Sequence, residues 1–454
     1  MNSTRSMTFT STEIRSLWLT TAAGLFIIGA SVAAVAGGMK YVIIALAVLI
    51  ARWVYKKPNE GIAAGTVFLI ACNLVFPPAS RFDWATEPWE MRYWASGLLI
   101  ITLAAGAGIG VRNLLRVPAA AKVFLLVAVA AATMGLSKGG SLSYVGRQLY
   151  GSILLVVYFA IAYRIGDEEL FLRRLRTVGL LGAIGFFFYY AAVFSEYGFH
   201  KELTVLGTLE GAIAILCSTV GLTRKSFAWT VSGLTMLGVP LLLFARHAFL
   251  MGAFGILVAL ANTATTKKTK LIMYAASGLL LIPSIFPWGA ELILERLLNS
   301  RSIESMLPTG ASDASSLVDR ELELVASIEV LRGSPLLGDG FGNELVWDSP
   351  AHGAAFSQAY VDNGWGYIAV KMGALGLFAF GWFLFIVLRC LSRNALPISV
   401  SLVAIALVAQ FSEPAFFQFS TAPLCGALAG LLVARGPQGG LHLAGGPRLE
   451  AQHA

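Results

Sequence analysis

The sequence predicts an all-α polytopic membrane protein of about fourteen transmembrane helices, with one long external loop that contains a short amphipathic helix. Three observations predict it. Of 454 residues, 57% are hydrophobic and 13% charged, with a mean hydropathy of +0.74, which lies outside the range of soluble domains. Apolar runs of roughly 17–25 residues, the length a helix needs to cross about 30 Å of hydrocarbon, recur along most of the chain. Lys and Arg collect in alternate short connections, the bias expected of cytoplasmic loops.

The runs fall at 17–36, 40–55, 61–77, 93–111, 119–136, 149–165, 178–196, 204–222, 226–244, 247–264, 270–287, 366–388, 396–412 and 419–435. The second and third are short and joined by a tight charged turn at Lys56–Lys57. Arg5 and Arg15 precede the first run and small residues follow it, as in a signal peptide. A second apolar run comes almost at once, so the first reads as a retained anchor. With the N-terminus in the cytoplasm, 21 of the 33 basic residues fall in cytoplasmic segments and Lys371 lies inside a span. The even number puts both ends inside. Residues 1–435 then form a single transmembrane domain, with loop 288–365 inserted between spans 11 and 12 and 436–454 as a cytoplasmic tail.

The net charge of +8 is accounted for by these topology determinants beside anionic headgroups, not by nucleic acid. No zinc-finger, P-loop or dinucleotide fingerprint occurs. The four cysteines, Cys72, Cys217, Cys390 and Cys425, lie in or beside spans. The long loop has none, so neither disulfides nor a cysteine-held metal braces it.

That loop carries most of the polar variety, and an excursion of this length is seldom a mere connection. Within SSLVDRELELVASIEVLRGSP, Ser316 with Asp319 suggests a helix start, while Leu317, Leu322, Val325, Ile328 and Leu331 recur near helical spacing. Gly333, Ser334 and Pro335 stop the helix. Arg320 then occupies the first turn, where its charge opposes the helix dipole. It serves either a ligand or a surface ion pair with Glu321 or Glu323. The next stretch, PLLGDGFGN, permits tight turns at Gly338, Gly340 and Gly342. His352 is a proton shuttle or an incidental loop histidine. Asp362 and Asn363 bind sugar hydroxyls, orient a nucleophile, or cap the returning helix.

Arg246 and His247 stand at the outer junction of two spans with almost no loop between them. Arginine at that depth calls for a counter-charge, a ligand or a headgroup. Arg147 occupies a corresponding edge and can also snorkel. Glu210 and Glu413 are the clearest acids near spans, as ion-pair partners, substrate ligands or buried neutral carboxyls. Arginine's planar fork suits phosphate oxygens. Arginines gathered at an external face fit either an enzyme acting on a lipid-linked diphosphate or a transporter of organic anions.

Four stretches carry a family resemblance: GRQLYGSILLVVYFAIAY at 146–163, LLLFARHAFLMGAFGILVAL at 241–260, VDRELELVASIEVLRGSPLLGDGFGN at 318–343 and VDNGWGYIAVKMGALGLFAF at 361–380. The chain resembles the superfamily of O-antigen ligases and Wzy-type O-antigen polymerases, membrane glycosyltransferases of bacterial surface polysaccharides. Where family members have a serine–arginine pair opening a span, this chain has Ala245–Arg246. The family's long-loop arginine falls on Arg320, ahead of Pro335–Gly342. Ligases carry a histidine followed by a small polar residue at the return segment. Here Asp362–Asn363 stand in that place, which favours a polymerase.

The resemblance implies attack by an acceptor-glycan hydroxyl on the anomeric carbon of an undecaprenyl-diphosphate-linked sugar, with no metal or other cofactor. Arg246 and Arg320 would stabilise the departing diphosphate, with Arg147 as helper. His352 and Asp362 compete as general base, while His247, Asn363, Glu210 and Glu413 line the substrate. Implied partners are the lipid-linked oligosaccharide, the acceptor glycan, membrane lipids, and the flippase and chain-length regulator of the same pathway. The implied location is the bacterial inner membrane, with the long loop in the periplasm. A ligase moving finished polymer to a lipid or protein acceptor is the alternative within the family.

Overall fold

The computed structural model describes residues 39–65, 68, 88–197, 204–242, 246–264, 266–285, 311–349, 354–358, 361 and 363–436. Its helices are α1 (Met39–Lys56), α2 (Pro88–Ile109), α3 (Ala119–Ser137), α4 (Leu142–Ile165), α5 (Glu168–Tyr197) and α6 (Thr204–Arg224). There follow α7 (Phe227–Leu242), α8 (Arg246–Thr263), α9 (Lys267–Ile285), α10 (Ala311–Gly333) and α11 (Gly364–Arg389). Next comes α12 (Leu396–Ala404), which runs on through a π-helical turn, Ile405–Ala409, to Gln410–Ser412. The last is α13 (Ala422–Arg435).

By length and composition α3, α4 and α11 can each cross a membrane. Shorter apolar stretches lie at Ser96–Ile109, Phe227–Pro240, Ala248–Thr263, Arg393–Ala409 and Ala422–Arg435. Large apolar side chains point outward along the helices, among them Leu49, Leu103, Leu126, Leu271 and Phe378. Such a surface suits lipid and not water. The fold is thus a helical membrane protein. Of the expected spans, 17–36 and most of 61–77 lie outside the described residues.

Two expectations about the long loop change. It holds an antiparallel hairpin as well as a helix: β1 (Leu345–Ser349) pairs with β2 (Ala354–Gln358), from Leu345 opposite Gln358 to Ser349 opposite Ala354. Leu345 and Trp347 are buried and Val346 and Asp348 exposed, the alternation of a half-covered strand. The helix, α10, begins at Ala311, so Ser316 is interior and not the cap. Arg320 sits more than two turns in, where the dipole exerts little force.

Small residues set the packing. Gly426 and Gly430 of α13 lie against the backbone of α4, where a Cβ would overlap the carbonyls of Leu155 and Phe159. This GxxxG spacing lets two membrane helices touch along their backbones. Between α3, α4, α11 and the segment before α13 is an aromatic cluster. Phe124 lies 5.7 Å from Phe380 and 5.9 Å from Phe417, and Phe159 is 5.3 Å from Phe383, centroid to centroid.

The bundle has two chemically distinct ends. At one, Arg435 pairs with Glu168 at 2.9 Å, Arg224 pairs with Glu169 at 2.5 Å, and Arg164 donates to the Asn113 carbonyl at 2.9 Å. These bonds join segments that charge sorting assigns to one side. At the other end Lys138 pairs with Asp339 at 3.0 Å, and Ser141 N–H donates to the Gly342 carbonyl at 3.3 Å. This ties the connection after α3 to the long loop.

Candidate functional site

The loop end of the bundle is organised around a break in α11. At Gly373 the backbone leaves helical geometry (φ 62°, ψ −161°), a conformation that favours glycine. A continuous helix would bond Ala374 N–H to Val370 and Leu375 N–H to Lys371. Instead Ala374 donates to the Pro335 carbonyl at 2.9 Å and Leu375 to that of Leu336 at 3.1 Å. The freed carbonyls of Val370 and Lys371 accept from Asp339 N–H (2.7 Å) and Gly340 N–H (3.2 Å). Two missing helical bonds are replaced by four bonds to the PLLGDG strap, which meets the need to satisfy backbone groups away from water.

The strap continues between α3 and α4. Phe341 N–H donates to the Ala131 carbonyl at 3.0 Å, and Gly342 N–H to Gln148 Oε1 at 2.8 Å. Gly338, Gly340 and Gly342 all have positive φ, and a Cβ on Gly135 would overlap the Phe341 carbonyl. The glycines of PLLGDGFGN therefore permit both the turns and the close approach.

Lys371 is fully buried beside the break, and its Nζ donates to the Asn343 carbonyl. Asp339 and Glu344 are the acidic groups acting on it. Sequence reading noted it only as a lysine within a span. The signal was present, because an ionisable residue at membrane depth points to a functional site by default.

Asn363 caps α11. Its Oδ1 accepts from the N–H groups of Trp365 (2.9 Å) and Gly366 (3.0 Å), so the capping alternative holds. Its neighbour Gly364 packs against Gln410, three residues before Glu413. Glu413 is buried where the helix after α12 ends in extended backbone, and Gln418 Nε2 donates to it at 3.4 Å. Arg147 is half-buried in the second turn of α4, its guanidinium 5.6 Å from the centre of the Tyr144 ring. The next residue, Gln148, holds the strap, and Gly151 packs against the Phe417 carbonyl. The segments that carry Asn363 and Glu413 thus meet through Gly364 and Gln410, and Arg147 stands at the same end of the bundle. A π-helical turn, a form found often at functional sites, leads to Glu413.

Glu210 stands apart. It is fully buried in α6, with neither carboxylate oxygen hydrogen-bonded. Its neighbour Gly211 lies close to the Ala248 backbone of α8. Arg246 and His247 open α8, and Arg320 lies in α10; the side chains of all three lie outside the described residues, as do His352 and Asp362 altogether. Among the described residues no three His, Cys, Asp or Glu side chains converge as a metal site requires.

Fold and site together define a helical membrane protein in which, among the described residues, a discontinuous helix is clasped by the long loop. No protein-family model matches the chain, nor does any curated protein or solved structure.

Proposed function

We propose that the protein is a polymerase of bacterial surface polysaccharide. It takes a glycan from undecaprenyl diphosphate and joins it to the hydroxyl of an acceptor glycan at the outer face of the inner membrane. In this reading fourteen spans leave both termini in the cytoplasm, and the strap end of the bundle faces the periplasm. The observation that carries the reading is the strap: three of the four stretches that resemble the family, 146–163, 318–343 and 361–380, meet there through specific hydrogen bonds. The fourth, 241–260, carries Arg246 at the start of α8, which packs against α12 and its π-helical turn.

As the bond from anomeric carbon to diphosphate breaks, negative charge grows on the bridging oxygen. Arginines held there stabilise the transition state more than the ground state. Arg246 and Arg320 take that role, assisted by Arg147, while His352 or Asp362 accepts the hydroxyl proton. Glu413 orients the acceptor together with the Asn363 amide NH2, which the cap does not use, and His247 with Glu210, on the packed pair α8 and α6, completes the substrate-lining set.

The test is polymer formation by purified protein from lipid-linked repeat units, read as chain length on a gel. Arg246→Lys keeps the charge but loses the bidentate fork. Turnover should fall about 10- to 1,000-fold, roughly 1.4–4 kcal/mol, at unchanged protein level. Arg320→Ala should cost at least as much, and Lys267→Ala should be silent. Full activity in both Arg246→Lys and Arg246→Ala would reduce Arg246 to a headgroup anchor. Uptake of an anionic solute into liposomes without polymer formation would favour the transporter. Transfer of one finished polymer to a non-glycan acceptor would favour the ligase.

A further inference from the structure

As one straight rod, α11 would hold Ile368 about 12 Å from Gly376 and Trp365 about 22 Å from Phe380 along its axis. The contacts are far closer. A Cβ on Gly376 would stand 3.2 Å from Ile368 Cγ2, and the ring centroids of Trp365 and Phe380 are 5.6 Å apart. Tyr367 and Phe380 both reach the Phe417 ring, at 5.5 and 5.1 Å. The element is therefore a V, in which 364–372 folds back on 374–389 with Gly373 and the strap at the apex.

The tip of the first arm lies deep. From Leu396, at the cytoplasmic end by charge sorting, Gln410 is about 21 Å up α12. A Cβ on Gly364 would overlap the Gln410 amide and stand 2.8 Å from its carbonyl oxygen. From Ile165, Gly151 is about 21 Å up α4, and it packs against the Phe417 carbonyl. These levels fall inside a hydrocarbon core about 30 Å thick, in its outer half. The helix after α12 ends at Ser412 and α13 begins at Ala422, so the irregular stretch 413–421 shares that depth. Irregular backbone is stable there only within protein or along a polar cavity.

Uncharged donors line the place where the arm begins. Gln410 is fully buried, and its Oε1 accepts from Phe416 N–H at 3.3 Å. Its Nε2 has no hydrogen-bond partner, and neither has the buried Nε1 of Trp365. The Trp365 ring packs 6.3 Å from that of Phe411. An anion finds little here, because Asn363 Oδ1 already takes the N–H groups of Trp365 and Gly366, and Glu413 follows Gln410 by three residues. Amide and indole N–H groups beside aromatic faces suit a neutral polyol, whose oxygens accept hydrogen bonds and whose C–H faces pack on rings.

We propose that 364–372 is a re-entrant arm, and that its buried start, with Gln410 Nε2 and Trp365 Nε1, binds the hydroxyl oxygens of an uncharged sugar ring. The choice of sugar rests on the polymerase reading, in which the ring belongs to the acceptor glycan. The arm itself rests only on the contacts across the break.

The tests use full-length protein with its four cysteines replaced, in phosphatidylethanolamine–phosphatidylglycerol nanodiscs. Trp365→Cys with Phe380→Cys should be joined by a short bifunctional methanethiosulfonate, read by mass as loss of free thiols. Spin labels at Gly366→Cys and Gly381→Cys, where an added side chain has room, should lie well within the roughly 22 Å of a continuous helix. No cross-link together with that full separation would overturn the arm. The free repeat-unit oligosaccharide, released from its lipid by mild acid, should bind wild-type protein in saturation-transfer NMR. Gln410→Glu keeps the oxygen that accepts from Phe416 and loses the amide donor; Trp365→Phe keeps a ring and loses the N–H. Each should weaken binding about tenfold. Unchanged binding in both, or none in the wild type, would overturn the sugar site. So would variants that lose inorganic pyrophosphate and keep the sugar. If the sugar binds with this dependence while wild-type protein forms no polymer, the polymerase reading fails and the site stands.

Discussion

A single lysine shows most clearly how much one residue can hold. Lys371 donates from within a membrane helix to a loop carbonyl, that of Asn343. Lys371→Met should leave that carbonyl buried without a donor, a cost of about 1–3 kcal/mol, read as a lower unfolding midpoint in detergent. An unchanged midpoint would mean that the amine does not tether the strap. At the opposite end, the Arg224 guanidinium holds the Glu169 carboxyl down to about 2 from the ordinary 4.5. A depressed carboxylate contributes stability above its unfolded value and loses it as pH falls through the folded one. The wild-type midpoint should therefore drop between pH 4.5 and 2, and Glu169→Gln should flatten part of that drop. An identical acid profile in the variant would assign the loss elsewhere. Asn363 was legible in sequence as a cap, since Asn before a helical run has a backbone reason to be there. Lys371 was less so, because its partner is supplied by tertiary folding.

Among the elements, α3 and α6 begin where the hydropathy runs begin, at 119 and 204, because an apolar run bounded by polar residues has only one boundary to offer. The starts of α4 and α5 lie earlier than those runs, at Leu142 and Glu168 instead of 149 and 178. Their first two turns, with Arg147, Gln148, Arg173 and Arg174, stay helical beyond the apolar stretch, and hydropathy sees the span but not the whole helix. Periodicity locates α10 but not its start at Ala311, since the polar first turns, ASDASS, carry no apolar repeat. The break in α11 was hidden for another reason: glycine at 373 permits a break, and only the strap makes one. Gly373→Ala should disfavour the positive φ and collide with Leu336. A loss of roughly 1–3 kcal/mol is expected, with loosening of the strap visible as faster hydrogen exchange at Asp339 and Gly340. Unchanged exchange would show that the strap does not depend on the glycine.

For the whole molecule, the two ends seen in the bundle give the topology a direct check. Reporter fusions after Lys270 and after Thr309 should report opposite sides of the membrane. Agreement between them would dissolve the external loop and the site built on it. Polymer formation should also survive exhaustive chelation, because the assigned leaving-group stabilisers are arginines. Loss that one specific metal restores, without unfolding in between, would replace that account with metal-assisted chemistry.

The strap also fixes an order of assembly. Its bond to Lys371 spans 28 residues, whereas its bond to Gln148 spans 194. At about 5–20 residues per second of synthesis, the second separation is roughly 10–40 s. For that interval α3 and α4 are made while the segment that fills the groove between them does not yet exist. The groove stays open during biogenesis until the nascent chain supplies the strap, and α11 and α13 follow it onto α3 and α4.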